Sequence, residues 1–330
     1  MNPKVVITGG CSYSQFRYRD ITWPVHLLNA LKPDKVGLLG QGAVGNEFIS
    51  RVVISTVQLA LDKGYKPEDI LVGIMWSGCD RGLYYSESAN TWDRATKLPA
   101  SVDPADGHKT ILKTLNNFSN LGKLITFEDY QSGYSRGPHH QNANPMTIRS
   151  AEKSGFYTMN SHWEDELTVG YFSKYTNPAY MVMQTCEHVL RTQWFLKSLN
   201  INYFMTEYDL DVFTYHGPHR GSLEKEVYKL DDEGISVQHD KVKAHSRHLK
   251  EMSIKDTHPE VSYLYNMIDR DYWLPIDHMG DWATNVSEYD YRDPGMDPHP
   301  STAQHKDFTE KVILPFLLEK YNISRNNIDT

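Results

Sequence analysis

Two short stretches near opposite ends of the chain hold the side chains best suited to covalent chemistry. The first is VVITGGCSYS, residues 5–14, in which a β-branched apolar segment runs into Gly9, Gly10 and Ser12. A strand that ends in such a turn can hold one small side chain at the carboxyl edge of a sheet, where open α/β folds place their ligands. The second is Asp297-Pro298-His299-Pro300-Ser301. Its flanking prolines leave His299 few backbone freedoms. In an extended segment, residues two apart lie on one side, so Asp297 can hold one ring nitrogen of His299 and leave the other available. Serine as nucleophile, histidine as base and aspartate as orienter are the parts of an acyl-transfer triad. Each stretch also has a plainer reading taken alone. Serines after glycines commonly serve turns and helix caps, and a chain with 15 histidines places many of them on solvated loops.

A third motif competes with this chemistry. Gly40-Gln41-Gly42-Ala43-Val44-Gly45 is a literal GxGxxG between a strand-like and a helix-like segment, the setting of a dinucleotide fingerprint. That fingerprint needs an acid about 20 residues on, at the end of the next strand, for the ribose hydroxyl. Here the next strand runs out in Trp76-Ser77-Gly78, and Asp62, Glu68 and Asp69 precede it. The acid is missing from the place where it would act, so no nucleotide cofactor is expected.

The elements that must position these residues follow from hydrophobic patterning. Val5–Thr8 reads as a buried strand, TWPVHLLNALKP as a helix and KVGLLG as a second strand. GNEFISRVVISTVQLALDKG has apolar residues at helical spacing, and DILVGIMWSG is a continuous apolar run of the kind found in strands covered on both faces. This β-α-β-α-β order predicts a parallel sheet with right-handed crossovers. From about 84 to 175 the pattern dissolves, with ILKTLNNFSNLGKLITFEDY the only helix-like stretch, and the segment reads as an insertion. AYMVMQTCEHVLRTQWFLKSLN then gives a long helix and INYFMTEYDL another buried strand. Residues 211 to about 260 read as a second insertion or lid. In the last segment Ser301 and Gln304 have capping-box spacing ahead of a closing helix.

Composition narrows the partners. The chain has 330 residues, 39% of them apolar, and a net charge of −8 without long runs of either sign. That suits a single globular domain over 1–330, and neither a nucleic-acid footprint nor a membrane patch is present. Cys11, Cys79 and Cys186 form no CxxC pair, which favours a reduced compartment. With no secretory leader pattern at the start and no 18-residue apolar run, a cytoplasmic protein is expected. His216/His219 and His245/His248 invite a metal reading, but no acid or cysteine completes a set, so no metal is expected. Trp92, Trp163, Tyr171, Trp273 and Trp282 could stack on sugar rings or pack loops against the core.

GGCSYS, GQGAVGNEFI and DPHPSTAQH together resemble the first, second and fifth blocks of the SGNH (GDSL-like) hydrolases. The resemblance covers about half the chain, with both insertions outside it. It implies a flavodoxin-like three-layer α/β/α sandwich and a serine esterase without a cofactor; the substrate expected is a small-molecule ester or, from the aromatics of the insertions, a glycan ester. By position, Ser12 is the nucleophile, His299 the base and Asp297 its orienter. Ser12 and Gly42 supply oxyanion N–H groups, with help from Ser77 or Asn46, although Asn46 also suits a helix cap. Members of this kind occur in bacteriophage genomes, which implies a possible virion setting. Two departures stand out. The third block should present an asparagine where Ser77-Gly78 stands, and Asp297 and His299 are spaced D-x-H instead of D-x-x-H, leaving Asp293 as a fallback orienter. Cys11 stands where the family often has aspartate and reads as a packed thiol. The altered third block keeps two other readings open: a binding or virion structural protein that retains the scaffold, and an acyltransferase using the same triad.

Overall fold

A computed structural model describes residues 2–15, 21–40, 44–85, 124–135, 156–160, 171–172, 176–209, 212–213, 258–289 and 299–324. Outside them lie Gly42, Asp293, Asp297, the histidines 216, 219, 245 and 248, and most of both expected insertions. The apolar runs form strands β1 (Val5–Gly10), β2 (Lys35–Leu38) and β3 (Ile70–Trp76), linked by helices α1 (Trp23–Leu31) and α2 (Asn46–Asp62). Next come β4 (Arg81–Tyr85), β5 (Ile125–Thr126), α3 (Phe127–Ser135), β6 (Phe156–Asn160), α4 (Pro178–Ser198) and β7 (Asn202–Glu207). The remaining helices are α5 (Pro259–Asn266), α6 (Met279–Asn285), α7 (Thr302–Phe308) and α8 (Leu314–Tyr321). A π-helical turn, Thr309–Ile313, joins the last two.

The main sheet has five strands in the order β5-β2-β1-β3-β7. β2, β1, β3 and β7 are parallel, and β5 pairs antiparallel with the outer edge of β2. Both β1 and β3 are buried along their whole length, as expected of strands covered on two faces. Two glycines show how closely the helices sit. A Cβ at Gly9 would lie 2.7 Å from Val53 of α2, and one at Gly73 would lie 2.6 Å from Phe204 and 3.1 Å from Trp23 of α1. Thr8 and Gly73 are register partners, so Gly9 and Gly73 face opposite ways. Helices therefore cover both faces of the sheet. α2 and α4 are tied by a Ser50–Thr192 hydroxyl pair at 2.6 Å, with Arg191 donating to Ser50.

The structure corrects the helix-like reading of residues 111–130. In the described part of that stretch Ile125–Thr126 is a strand of the main sheet and the helix begins only at Phe127. A two-residue strand is too short to leave a period in the sequence. β4 and β6 form a separate antiparallel pair, Arg81 opposite Asn160 and Tyr85 opposite Phe156. Among the described residues no helix is long and apolar enough to cross a membrane.

Gly45 shows what the GxGxxG glycines do where they are described. It is the N-cap of α2, and a Cβ there would come 2.3 Å from the backbone carbonyl oxygen of Arg81. Gly40 is pressed in the same way on the carbonyl of Ser14, at 2.1 Å from a Cβ. Both glycines permit backbone to pack on backbone. Gly45→Ala is therefore expected to destabilise the fold by roughly 1–3 kcal/mol, the usual cost of overpacking, read as a lower urea midpoint at unchanged m-value. An unchanged midpoint would show that the β4 backbone yields freely.

Candidate active site

The site sits at the carboxyl edge of the sheet. β1 ends at Gly10, whose φ of 156° and lack of space suit only glycine: a Cβ would lie 2.3 Å from Ser14 Oγ and 2.8 Å from the carbonyl oxygen of Met75. The chain then makes a 3₁₀ turn, Ser12–Ser14, closed by Ser14 N–H to Cys11 O and Gln15 N–H to Ser12 O. Trp23 Nε1–H donates to Ser14 Oγ at 2.9 Å, pinning the turn to the start of α1. Ser12 opens the turn, so its own N–H precedes the first turn bond, as with the leading N–H groups of any helix.

His299 reaches this turn from the other end of the chain. Ser301 and Gln304 form the capping box of α7, with Gln304 N–H donating to Ser301 Oγ and Ser301 N–H donating to Gln304 Oε1. Gln304 Nε2 also donates to Ala283 O of α6, and Ile21 N–H donates to Thr302 Oγ1, which holds the cap against both neighbouring segments. Two residues ahead of that cap, His299 Nε2 lies 2.8 Å from Ser12 Oγ. Ser12 is 8% exposed. The contact has the length of a hydroxyl hydrogen bond, and with Nε2 as acceptor it is the contact a general base requires.

An aromatic wall backs the pair. The Tyr13 ring lies 5.0 Å from the His299 imidazole at 55°, and 5.2 Å from the Tyr208 ring in an edge-to-face arrangement. Tyr13 and Tyr208 are both buried. Tyr208 directly follows β7, its N–H bonded to Trp76 O at the end of β3.

The structure redirects two of the expected oxyanion donors. Asn46 is the first residue of α2, behind the Gly45 cap, and its side chain caps nothing. Its Nδ2 donates to Ser77 O at 2.7 Å and to Thr185 Oγ1 at 3.2 Å, while Oδ1 accepts Ser77 N–H at 2.7 Å. Both amide hydrogens are thereby committed, and Asn46 acts as a clamp between α2, β3 and α4. Ser77 is fully buried; its N–H goes to Asn46, and its Oγ accepts from Arg81 Nη1 at 2.9 Å. It braces the sheet edge, with its backbone N–H committed to Asn46 and its side chain buried against Arg81. Neither role has a sequence signal, because Asn46 and Ser77 meet only through the fold. The other expected members, Gly42 and Asp297, lie outside the described residues. Cys11 is fully buried, in keeping with a packed thiol. Trp273 and Trp282 are buried in the core, and Tyr171 packs edge-to-face on Phe172. Among the described residues, no group of three or more His, Cys, Asp or Glu is arranged to hold a metal. The chain finds no match among family models, curated proteins or solved structures.

Several histidines away from the Ser12 contact are held neutral. Burial, reinforced by His26 and His299, keeps His305 far below the ordinary imidazole range, and burial with the nearby Arg191 and Arg51 lowers His188 to about 4. The unfolded chain takes up these protons near its ordinary imidazole value of 6.5 while the folded chain resists. The stability they confer is complete above that value and is lost as pH falls from about 6.5 through about 4. The urea midpoint should drop across this window, and His188→Gln should reduce the drop. Equal drops in the variant and the wild type would show that His188 is not held neutral.

Proposed function

We propose that the protein is a serine-dependent acyl-ester hydrolase of the SGNH type. The observation that carries this reading is the 2.8 Å contact between His299 Nε2 and Ser12 Oγ, made on a turn too tight for any residue but glycine at position 10. The succession of parallel strands β2-β1-β3-β7 with helices on both faces supports a flavodoxin-like scaffold, with 84–175 and 211–260 as its insertions.

In this reading His299 Nε2 takes the proton of Ser12 as Oγ attacks the ester carbonyl. The tetrahedral oxyanion accepts hydrogen bonds from the N–H groups of Ser12 and Gly42. His299 returns the proton to the leaving alkoxide, and an acyl-serine remains. Water, deprotonated by the same nitrogen, attacks that ester; the carboxylic acid leaves and Ser12 regains its proton. Asp297 holds the Nδ1 side of the ring through the cycle. With the Asn46 amide and the Ser77 N–H engaged in the scaffold, the oxyanion site relies on the backbone donors of Ser12 and Gly42. Loss of one good donor typically costs ~10²–10³ in rate, so turnover of simple esters should be slow.

The test is hydrolysis of short p-nitrophenyl acyl esters. The wild type should turn them over, and Ser12→Ala and His299→Gln should each lose ~10³-fold or more in kcat, as removal of a nucleophile or base does. A wild type without turnover, or variants that match it, would overturn the proposal.

A further inference from the structure

Arg81 opens β4, outside the three blocks that carry the family resemblance, yet its guanidinium joins two strand ends at the site. β1, β3 and β7 are adjacent parallel strands ending at Gly10, Trp76 and Glu207, so Ser12, Ser77 and Tyr208 all lie just past their carboxyl ends. Arg81 Nη1 donates to Ser77 Oγ and Nη2 to Tyr208 Oη, each at 2.9 Å, and the guanidinium carbon lies 4.8 Å from the Tyr208 ring centroid. Tyr208 then meets Tyr13 edge-on, and Tyr13 lies against the imidazole of His299. Contacts therefore run without a break from Arg81 to the nitrogen that faces Ser12.

We infer that Arg81 is a positioning residue for the Ser12–His299 pair, acting through Tyr208 and Tyr13. This inference rests on the esterase reading. A histidine base works only while its ring keeps Nε2 on the serine oxygen. On its C-terminal side His299 is fixed by Pro300 and the α7 cap, and its ring rests on Tyr13. Tyr13 is itself held edge-on from two sides, by Tyr208 at 5.2 Å and by His305 of α7 at 6.5 Å, so the Tyr208 side of this support is the one that Arg81 can influence. Tyr208 is in turn fixed by its backbone bonds to Trp76 O and from Gly280 N–H, and at the far end of its ring by Arg81. The task requires arginine. A planar fork presents two separate nitrogens in fixed geometry to hydroxyls beyond two strand ends, where a lysine ammonium would have to reach both from one nitrogen on a flexible stem. The backbone of Arg81 is itself held, because Gly45 packs on its carbonyl.

Misplacing a reacting group by about 1 Å can cost ~10²-fold in rate. Arg81→Met, which keeps most of the stem and loses the fork, should therefore lower kcat on p-nitrophenyl esters by about 10–100-fold with KM within about twofold. Tyr208→Phe removes only the hydroxyl that receives Nη2, and should fall in the same direction. The double variant should be no worse than the poorer single one, because both act on one path. The rate at which a fluorophosphonate labels Ser12 should decline by matching factors, since that reaction needs the same proton transfer but no ester binding. Urea midpoints show whether each variant is folded. If Arg81→Met does not fold, Tyr208→Phe decides alone.

Wild-type turnover and labelling at Ser12, with both variants at wild-type rates, would overturn the inference and leave the esterase reading standing. Effects confined to KM, or losses that multiply in the double variant, would do the same. A wild type that neither turns over esters nor takes the label at Ser12 would overturn both.

Discussion

The geometry of the site depends on how little room surrounds the turn at residues 11–15. Gly10 leaves β1 with a φ that L side chains rarely adopt, between the Ser14 hydroxyl and the Met75 carbonyl. Gly40 closes the other side by lying directly on the Ser14 backbone, and Trp23 holds Ser14 from below through its indole N–H. A turn confined in this way has one conformation, and Ser12 is carried by it. Every other feature of the site is arranged around that fixed point: the capped α7 that delivers His299, the tyrosine wall behind the imidazole, and the Asn46 clamp that sets the end of β3 beside it.

The clamp shows how scaffold and chemistry divide the same residue types. An asparagine at the start of a helix beside a candidate oxyanion site could serve as cap, donor or brace. The structure gives it to bracing, with hydrogen bonds to both backbone groups of Ser77. A buried polar group left without its partner costs about 1–3 kcal/mol, so releasing Asn46 toward a substrate would leave both Ser77 groups unsatisfied. The strand end where the resemblance leads one to expect an asparagine is instead stitched into the fold by Asn46 and Arg81. This rigidity suits positioning.

Much of this is legible in the sequence. Continuous apolar runs mark β1, β3 and β7 because both faces of those strands are covered, and Ser301 with Gln304 marks the start of α7 because a capping box is a local motif. Within the GxGxxG segment, the described glycines Gly40 and Gly45 serve close backbone packing, which their spacing alone does not announce. What escaped is what depends on distant partners. β5 is two residues long and owes its place to β2. The π-helical turn at Thr309–Ile313 has no periodic signature distinct from the helices around it. Asn46 with Ser77, Arg81 with Tyr208 and Tyr13 with His299 are pairs made by the fold, and nothing in the spacing of either partner announces them.

The proposed chemistry turns on Ser12 as a nucleophile activated by His299. The most direct measurement is rapid-quench mass spectrometry of the protein mixed with p-nitrophenyl acetate. An acetyl group is expected on the peptide carrying Ser12, forming with the release of p-nitrophenol, decaying with turnover, and absent from folded His299→Gln. Turnover with no acyl group on Ser12, or with the acyl group on another residue, would contradict it.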